Sequence, residues 1–350
     1  MNVQVSVIIP NWNGRRFLDL CLGSLRRQTY RAFETILVDN GSTDGSAEHV
    51  RLQFPEIRLI QFSENLGFSA AANEGIQSAK GDYIALLNTD VEVDPRWLSE
   101  LVLALERHAE VDFCASKILK FEDRRIIDSV GVGCIAGGIG YPIGSHEEDH
   151  GQYESPMIVL GSSAGASMYR KAFFDQVGLF DETFFAYHED VDLNLRAQWA
   201  GRKCLYVPTA AVYHIGGGST GGGLNYFIVR LSTRNRIHAI VKNLPLSLIV
   251  RAAPRMLMYE GIWIANVWAR GSLRAYAQGL WEALLQFREM ARKRRQIFGS
   301  RQVDRRYFVR ATLASEQMVI ASVARRGALS PTLRRLLRIY QWLVPRVQDA

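Results

Sequence analysis

Over the first 110 residues, short apolar runs alternate with stretches of helical periodicity. Val5–Pro10 is a wholly apolar run bounded by Pro10 and Asn11, which predicts a strand. Leu18, Cys21, Leu22 and Leu25 then recur at i, i+3, i+4 and i+7, one face of a helix. Glu34–Asp39 predicts a second strand, Asn40–Ser46 a polar turn and Ala47–Phe54 a short helix. Ile57–Phe62 reads as a third strand, Ser69–Lys80 as an alanine-rich helix closed by Gly81, and Asp82–Leu87 as a fourth strand. Pro95–His108 predicts a helix with Trp97, Leu98, Leu101 and Leu105 inward. This alternation argues an α/β fold with a Rossmann-like, mostly parallel sheet flanked by helices. In such sheets the ligand sits beyond the carboxyl ends of the strands. Residues 111–224 are less regular, with glycine-rich runs at 131–144 and 216–223. Residues 226–350 carry helical periodicity, with Gly271 and Pro331 as breakers.

Composition narrows the class. The 350 residues are 48% hydrophobic and 22% charged, which excludes a disordered, collagen-like or disulfide-scaffold chain. Met1–Pro10 has no basic leader and no window is an uncharged apolar run of spanning length, so neither a signal peptide nor a membrane span is expected. Cys21, Cys114, Cys134 and Cys204 have no metal-finger spacing and read as buried thiols in a reducing, cytoplasmic compartment. The net charge of +7 is uneven. Residues 225–350 hold 23 Lys and Arg against 6 Asp and Glu, a net of +17, leaving −10 for residues 1–224. A basic tail implies an anionic partner. No nucleic-acid motif accompanies it, and its tryptophans lie among Leu and Ile. The expected partner is therefore an anionic membrane face, met by Trp263, Trp268 and the cluster Arg288, Arg292, Lys293, Arg294 and Arg295, with Arg334, Arg335 and Arg338 beyond. A helical bundle packed on the front half, with a solvated basic face, is the plainer reading of the same residues.

Three short patterns imitate known signatures. His146-Glu-Glu-Asp-His150 spells the zinc-protease pair, yet it lies between Gly144 and Gly151 without helical periodicity and reads as a solvated acidic loop. Gly131-Val-Gly-Cys-Ile-Ala136 resembles a dinucleotide fingerprint but lacks a following helix. Gly161-Ser-Ser163-Ala-Gly165 matches a nucleophile elbow, with Asp190 and His214 in the order of a hydrolase triad. The same small residues also suit a tight loop against which a substrate packs.

A constellation outweighs these. The first strand ends in Asn11-Trp-Asn13-Gly14, the second in Asp39-Asn40-Gly41-Ser42-Thr-Asp44, and the fourth in Asn88-Thr89-Asp90. Asn65-Leu-Gly67 leads into the helix carrying Asn73. Any one cluster is turn chemistry. Four on one sheet edge point to a binding site.

The runs VSVIIPNWNG, ILVDNGSTDGS, NLGFSAAANEGIQSAKGDYIALLNTDVEV and FFAYHEDVDLNLRAQWAG resemble the family 2 inverting glycosyltransferases of GT-A fold. Within them the chain is most similar to the rhamnosyltransferase-like members that build bacterial cell-surface polysaccharides. The resemblance covers residues 3–220. It implies a catalytic domain over 1–224, split into a nucleotide-sugar-binding half (1–110) and an acceptor and catalytic half (111–224), followed by a basic helical region over 225–350.

The resemblance also implies roles. Pro10, Asn11, Asn13, Asp39, Asn40, Gly41, Ser42, Asn65, Gly67, Asn73, Asn88, Thr89 and Asp90 would hold a nucleotide-diphosphate sugar, with Asp39 accepting a hydrogen bond from the base. Asp90 matches the last aspartate of the family's Asp-x-Asp, while Asn88 stands at the first position. With His214 it would bind a divalent cation, Mg2+ or Mn2+, since phosphate oxygens and water can complete the shell. Glu189 and Asp190 would be the catalytic pair, with Asp190 as base, its ionised form favoured by a helix N-terminus. Asp192 and Arg196, spaced i, i+4, read as a helix salt bridge. The resemblance points to dTDP-rhamnose as donor and to a glycan or lipid-linked acceptor. Two other readings stay open: a serine hydrolase using Ser163, Asp190 and His214, and a non-catalytic membrane adaptor. The chain is also compatible with a homo-oligomer.

Overall fold

The structure, a computed structural model, describes residues 3–136, 138–216, 223–326 and 330–344. Its first half alternates as the periodicity requires: β1 (Val5–Asn11), α1 (Arg15–Arg26), β2 (Phe33–Asn40), α2 (Ser46–Gln53), β3 (Arg58–Phe62), α3 (Phe68–Ser78), β4 (Tyr83–Leu87), β5 (Val91–Val93) and α4 (Trp97–Arg107). β3, β2, β1 and β4 lie side by side in that order, all parallel. Val5, Val7 and Ile9 of β1 pack with Leu18, Cys21 and Leu22 of α1 and with Trp97 and Leu101 of α4. Ile8 enters the opposite core with Ala71, Ala72 and Ile76 of α3. Covered on both faces, β1 has no polar alternation, which is why it reads as one apolar run.

The middle of the chain holds more strand than its pattern suggests: β6 (Phe113–Lys120), β7 (Ile127–Ser129), β8 (Val132–Ile135), β9 (Ile139–Pro142), β10 (Met157–Val159), β11 (Ala166–Arg170) and β12 (Cys204–His214), with α5 (Lys171–Val177) and α6 (Glu189–Trp199) between the last two. The sheet runs β10-β12-β6-β11-β4-β1-β2-β3, with β7 on β6 and β5 on β12. β11 is inserted antiparallel between β4 and β6, while β12 and β6 are parallel. Most of these strands are three to five residues long, too short to establish a period. Gly131 opens into the β8–β9 hairpin and not into a helix. The His146–His150 segment is a loop, but Glu147 is not solvated. It is buried, accepts a hydrogen bond from the Tyr153 hydroxyl at 2.9 Å and pairs with Arg325 at 2.8 Å. All four cysteines are buried and free, and burial pushes the Cys114 thiol up to about 12.

Beyond β12 the chain forms α7 (Tyr226–Asn243), α8 (Leu246–Ala269), α9 (Leu273–Leu285), α10 (Phe287–Ser300), α11 (Arg305–Arg325) and α12 (Pro331–Leu343). Gly271, at φ 67°, turns α8 into α9, and Pro331 opens α12. These helices pack on the front half. Trp199 of α6 stacks on Phe308 of α11 with centroids 4.1 Å apart, in a core shared with Leu195, Leu244, Leu248 and Leu313. The cationic cluster expected to face a membrane is partly consumed here. Lys293 pairs with Asp181 at 2.7 Å, and Arg294 donates to the Val241 carbonyl at 2.9 Å. Lys242 bridges Asp181 and Asp192. An anionic partner of the basic tail is thus the acidic front half of the same chain. Arg288, Arg292, Arg295, Arg334, Arg335 and Arg338 remain exposed. No described helix is long and apolar enough to cross a membrane.

Candidate active site

A cavity of about 390 Å³ opens at the carboxyl ends of β1 and β4. Of the residues singled out from sequence, Pro10, Asn11, Asn40, Asn65, Asn88, Thr89, Asp90, Glu189, Asp190 and His214 line it. Others stand behind the wall. Asp39, at the end of β2, is buried and accepts from Asn11 Nδ2 at 2.8 Å and from the Ser42 N–H at 3.3 Å. Asn13 donates its N–H to Ser42 Oγ at 2.9 Å and accepts from the Thr43 N–H at 2.8 Å, so the β1 and β2 loops are stitched together. Gly41 (φ 69°) turns the chain between them. Asn40 donates to Asn65 Oδ1 at 2.9 Å and to the Gly67 carbonyl at 3.0 Å, which fixes the loop before α3. Gly67 has φ 92°, and a Cβ on it would lie 2.6 Å from the Phe185 carbonyl oxygen. Asn73 does not reach the cavity. It is buried and bonded to the Phe180 backbone and to Glu182, where it positions the segment leading to the Glu189–Asp190 pair.

His214 ends β12 between two carboxylates. Its Nδ1 is 2.7 Å from Asp128 Oδ2 and its Nε2 is 3.4 Å from Asp90 Oδ2. Burial alone would depress the imidazolium, but hydrogen bonds and charge from Asp128 and Asp90 outweigh it and raise the group to about 10. Two acids around one imidazolium also suit a divalent cation. Such an ion would displace the proton from Nε2 while Asp128 keeps Nδ1–H and so fixes the tautomer. Among the described residues no group of three or more His, Cys, Asp or Glu is placed to hold a metal. An ion here would rest on Asp90, His214 and oxygens of a bound donor. Gly217 to Thr220, in the glycine-rich run after His214, lie outside the described residues.

Asp190 sits in the first turn of α6 at the cavity wall, where the helix is capped by His188 and not by Asp190. It is reached through a loop in which Phe185, Tyr187 and His188 all have positive φ (64°, 69° and 65°). Non-glycine residues hold that conformation only when their surroundings impose it. The restraint comes from α7. Asn235 Nδ2 lies within 2.8 Å of the Phe184 and Ala186 carbonyls and 2.7 Å of that of Tyr187, and Arg234 donates to the Thr183 and Phe184 carbonyls. The Val191 N–H donates to Asp190 Oδ1 at 2.7 Å. This contact favours the ionised form, as a helix N-terminus should, but burial is larger and raises Asp190 to about 6. Burial and the Asp190 charge raise Glu189 to about 8. Glu189 Oε2 is buried with no hydrogen-bond partner. Asp190 is the less buried of the two and accepts the Val191 N–H, so Asp190 ionises first and Glu189 stays neutral beside it. Asp192 forms the expected pair with Arg196 at 2.9 Å.

A second cavity of about 290 Å³ adjoins the first, lined by Tyr141 and Pro142 of the β8–β9 hairpin, Val191 and Ser232. Asn88, Ser163, Gly165, Tyr187, Asp190 and His214 belong to both walls. Ser163 lies on a connection from β10 to β11, strand to strand, where no elbow forms. Its Oγ accepts from the Gly165 N–H at 3.2 Å, and His214 faces Asp90 and Asp128 with its two nitrogens. The hydrolase triad is not assembled. Asp128 and Asn235 escaped the sequence reading. Nothing local marks Asp128, and Asn235 is one of several polar residues of α7, beside Arg234, Arg236 and His238, whose burial no local pattern announces.

The mixed sheet, with its parallel β3-β2-β1-β4 half and a cavity at the strand ends, has the arrangement of a GT-A fold. Residues 6–178 match the model of the family described as Glycosyl transferase family 2. The N-acetylglucosaminyl-diphospho-decaprenol L-rhamnosyltransferase of Mycobacterium tuberculosis is 30% identical over 245 residues, spanning 63% of this chain and 79% of that protein. The chain therefore belongs to glycosyltransferase family 2. Among solved structures, S. aureus TarS in complex with UDP is similar over 97% of this chain and 92% of its own, with a TM-score of 0.53 and 17% identity. GalNAc-T7 with UDP, GalNAc and Mn2+ is similar over 69% and 48%, with a TM-score of 0.55 and 18% identity. At these identities the likeness is one of fold.

Proposed function

We propose that the protein is an inverting glycosyltransferase that moves a sugar from a nucleotide-diphosphate donor to a hydroxyl of a glycan or lipid-linked acceptor in cell-surface polysaccharide synthesis. The observation that carries this is the place of Asp190, on the wall shared by the strand-end cavity and the cavity under the β8–β9 hairpin. The first would take the donor, the second the acceptor. The M. tuberculosis relative, an L-rhamnosyltransferase by name, supports dTDP-rhamnose as the first donor to test.

Ionised Asp190 takes the proton of the acceptor hydroxyl as its oxygen attacks the anomeric carbon from the face opposite the diphosphate. The bond to the diphosphate breaks, and the configuration inverts without a covalent intermediate. Glu189, neutral and buried beside Asp190, keeps the pair from carrying two adjacent charges. On the nucleotide side, Asp39 holds Asn11 in place, and Asn40 holds Asn65 and the Gly67 loop against the wall. Asp90 and His214 would hold a divalent cation, Mg2+ or Mn2+, which supplies positive charge to the leaving diphosphate.

The test is a donor screen reading nucleoside diphosphate release by the purified protein. Asp190→Asn should lower turnover by roughly two to four powers of ten and leave donor binding nearly intact. Turnover within about threefold of wild type would overturn the base assignment.

A further inference from the structure

The helices α8 and α9 are apolar on their outward as well as their inward faces, the latter carrying Leu248, Ala252 and Val267 of α8 and Ala275 and Ala283 of α9. A helix on a soluble surface turns its polar face outward. On α8 the residues that follow one outward stripe at spacings of three and four are Leu246, Val250, Pro254, Leu257, Gly261 and Ile264, ending in Trp268, and all are exposed. Leu257 is 73% exposed and Trp268 70%. On α9 the exposed side chains include Leu273, Leu280, Trp281, Leu284 and Leu285. The two stripes flank the Gly271 turn in sequence, with Trp268 before it and Leu273 after it. Exposed apolar stripes of this kind are rare on a monomer without a partner.

The charges say which partner. The acidic residues of the two helices, Glu260 and Glu282, are turned inward onto Arg236 and Arg230 of α7. The charges that stay at the surface are basic: Arg251 on α8, Arg270 at the turn and Arg274 on α9. An apolar face carrying only exposed arginines is complementary to anionic headgroups above acyl chains, and no described helix of the chain is built to cross a bilayer. Trp263, which sequence alone places at the interface, faces inward and donates to Thr233 Oγ1. Trp281 takes its place.

We propose that α8 and α9 form a docking face lying in the headgroup region of an anionic bilayer. The face is also close to the cavity. At Gly279, α9 approaches α7 so nearly that a Cβ would lie 2.5 Å from the Arg230 carbonyl oxygen, and the first turn of α7 supplies Phe227 and Ile228 to the cavity wall. An acceptor carried on a lipid would thus enter beside the bilayer. The inference stands apart from the catalytic reading, because docking needs neither donor nor turnover.

Flotation of the full chain with phosphatidylcholine vesicles, with and without phosphatidylglycerol, decides it. The protein should float with the anionic vesicles, and salt should weaken binding. The double variant L257D/L284D should lower the partition by roughly tenfold or more with an unchanged thermal unfolding midpoint. Brominated lipid should quench the wild-type tryptophan fluorescence, less so in W268F and W281F, a measurement that does not depend on the Asp variants folding. Equal flotation with neutral vesicles, or unquenched tryptophans, would overturn the proposal. So would a wild-type dimer in sedimentation that L257D/L284D dissociates while no vesicle binds, since a second copy would then cover the face.

Discussion

Lys242 Nζ on α7 lies 2.8 Å from Asp192 Oδ2 on α6, two residues beyond Asp190, and both side chains are buried. The ammonium also meets Asp181 at 2.7 Å, and Asn243 donates to the other oxygen of Asp192. The helix bearing the proposed base is therefore fixed by the tail, so residues 225–350 belong to the architecture of the site.

Removing one member of a buried charge network leaves its partner uncompensated. Lys242→Met should cost about 3 kcal/mol of stability, read by denaturant unfolding. Burial alone would raise Asp181 and Asp192, but the cations around them hold both below the ordinary carboxylate range. With folded values depressed, their stabilisation is complete above that range and is lost as pH falls below about 4. Wild type should show a steep acid loss of melting temperature there that is shallower in Lys242→Met, where Arg196 and Lys293 remain as the partners of Asp192 and Asp181.

Turnover should fall as pH drops through about 6, because Asp190 must be ionised to accept a proton and burial raises it to that value. Glu189, raised to about 8, is already neutral in this window. Glu189→Gln should therefore leave the acid limb of the pH–rate profile in place. A displacement of that limb by more than about one unit would mean that Glu189 is the group titrating.

Asp128 bonds to His214 and lines only the second cavity, so its role can be separated from donor binding. Asp128→Asn should raise the Mg2+ or Mn2+ concentration for half-maximal turnover about 10–100-fold, with turnover at saturating metal largely restored. Full activity in excess chelator would exclude the cation altogether.

Gly67→Ala meets both a positive φ of 92° and the Phe185 carbonyl oxygen at 2.6 Å. It should cost more than about 1 kcal/mol, and donor affinity should fall because Asn40 and Asn65 share that loop. Titration calorimetry with the nucleoside diphosphate reads the second effect.

The helices from α1 to α4 were legible because each buries a periodic face, and the strands because sheet burial leaves an apolar run, except β5, whose three residues are too few to announce it. The polar clusters at Asn11, Asp39 and Asn88–Asp90 were legible for the same reason, since a strand end in a parallel sheet is marked by where the apolar run stops. The middle region was not. β11 becomes a strand between β4 and β6 through antiparallel pairing on both sides, which no local repeat announces. Asp128 meets His214 across 86 residues because β7 and β12 both pair with β6, and that register exists only in the folded sheet. The basic tail is the sharpest case. Its charge count was plain in the sequence, but whether a given cation faces solvent or Asp181 depends on which side of a helix meets the acidic half. Periodicity determines that a helix has two faces; packing against the rest of the chain decides which one remains outside.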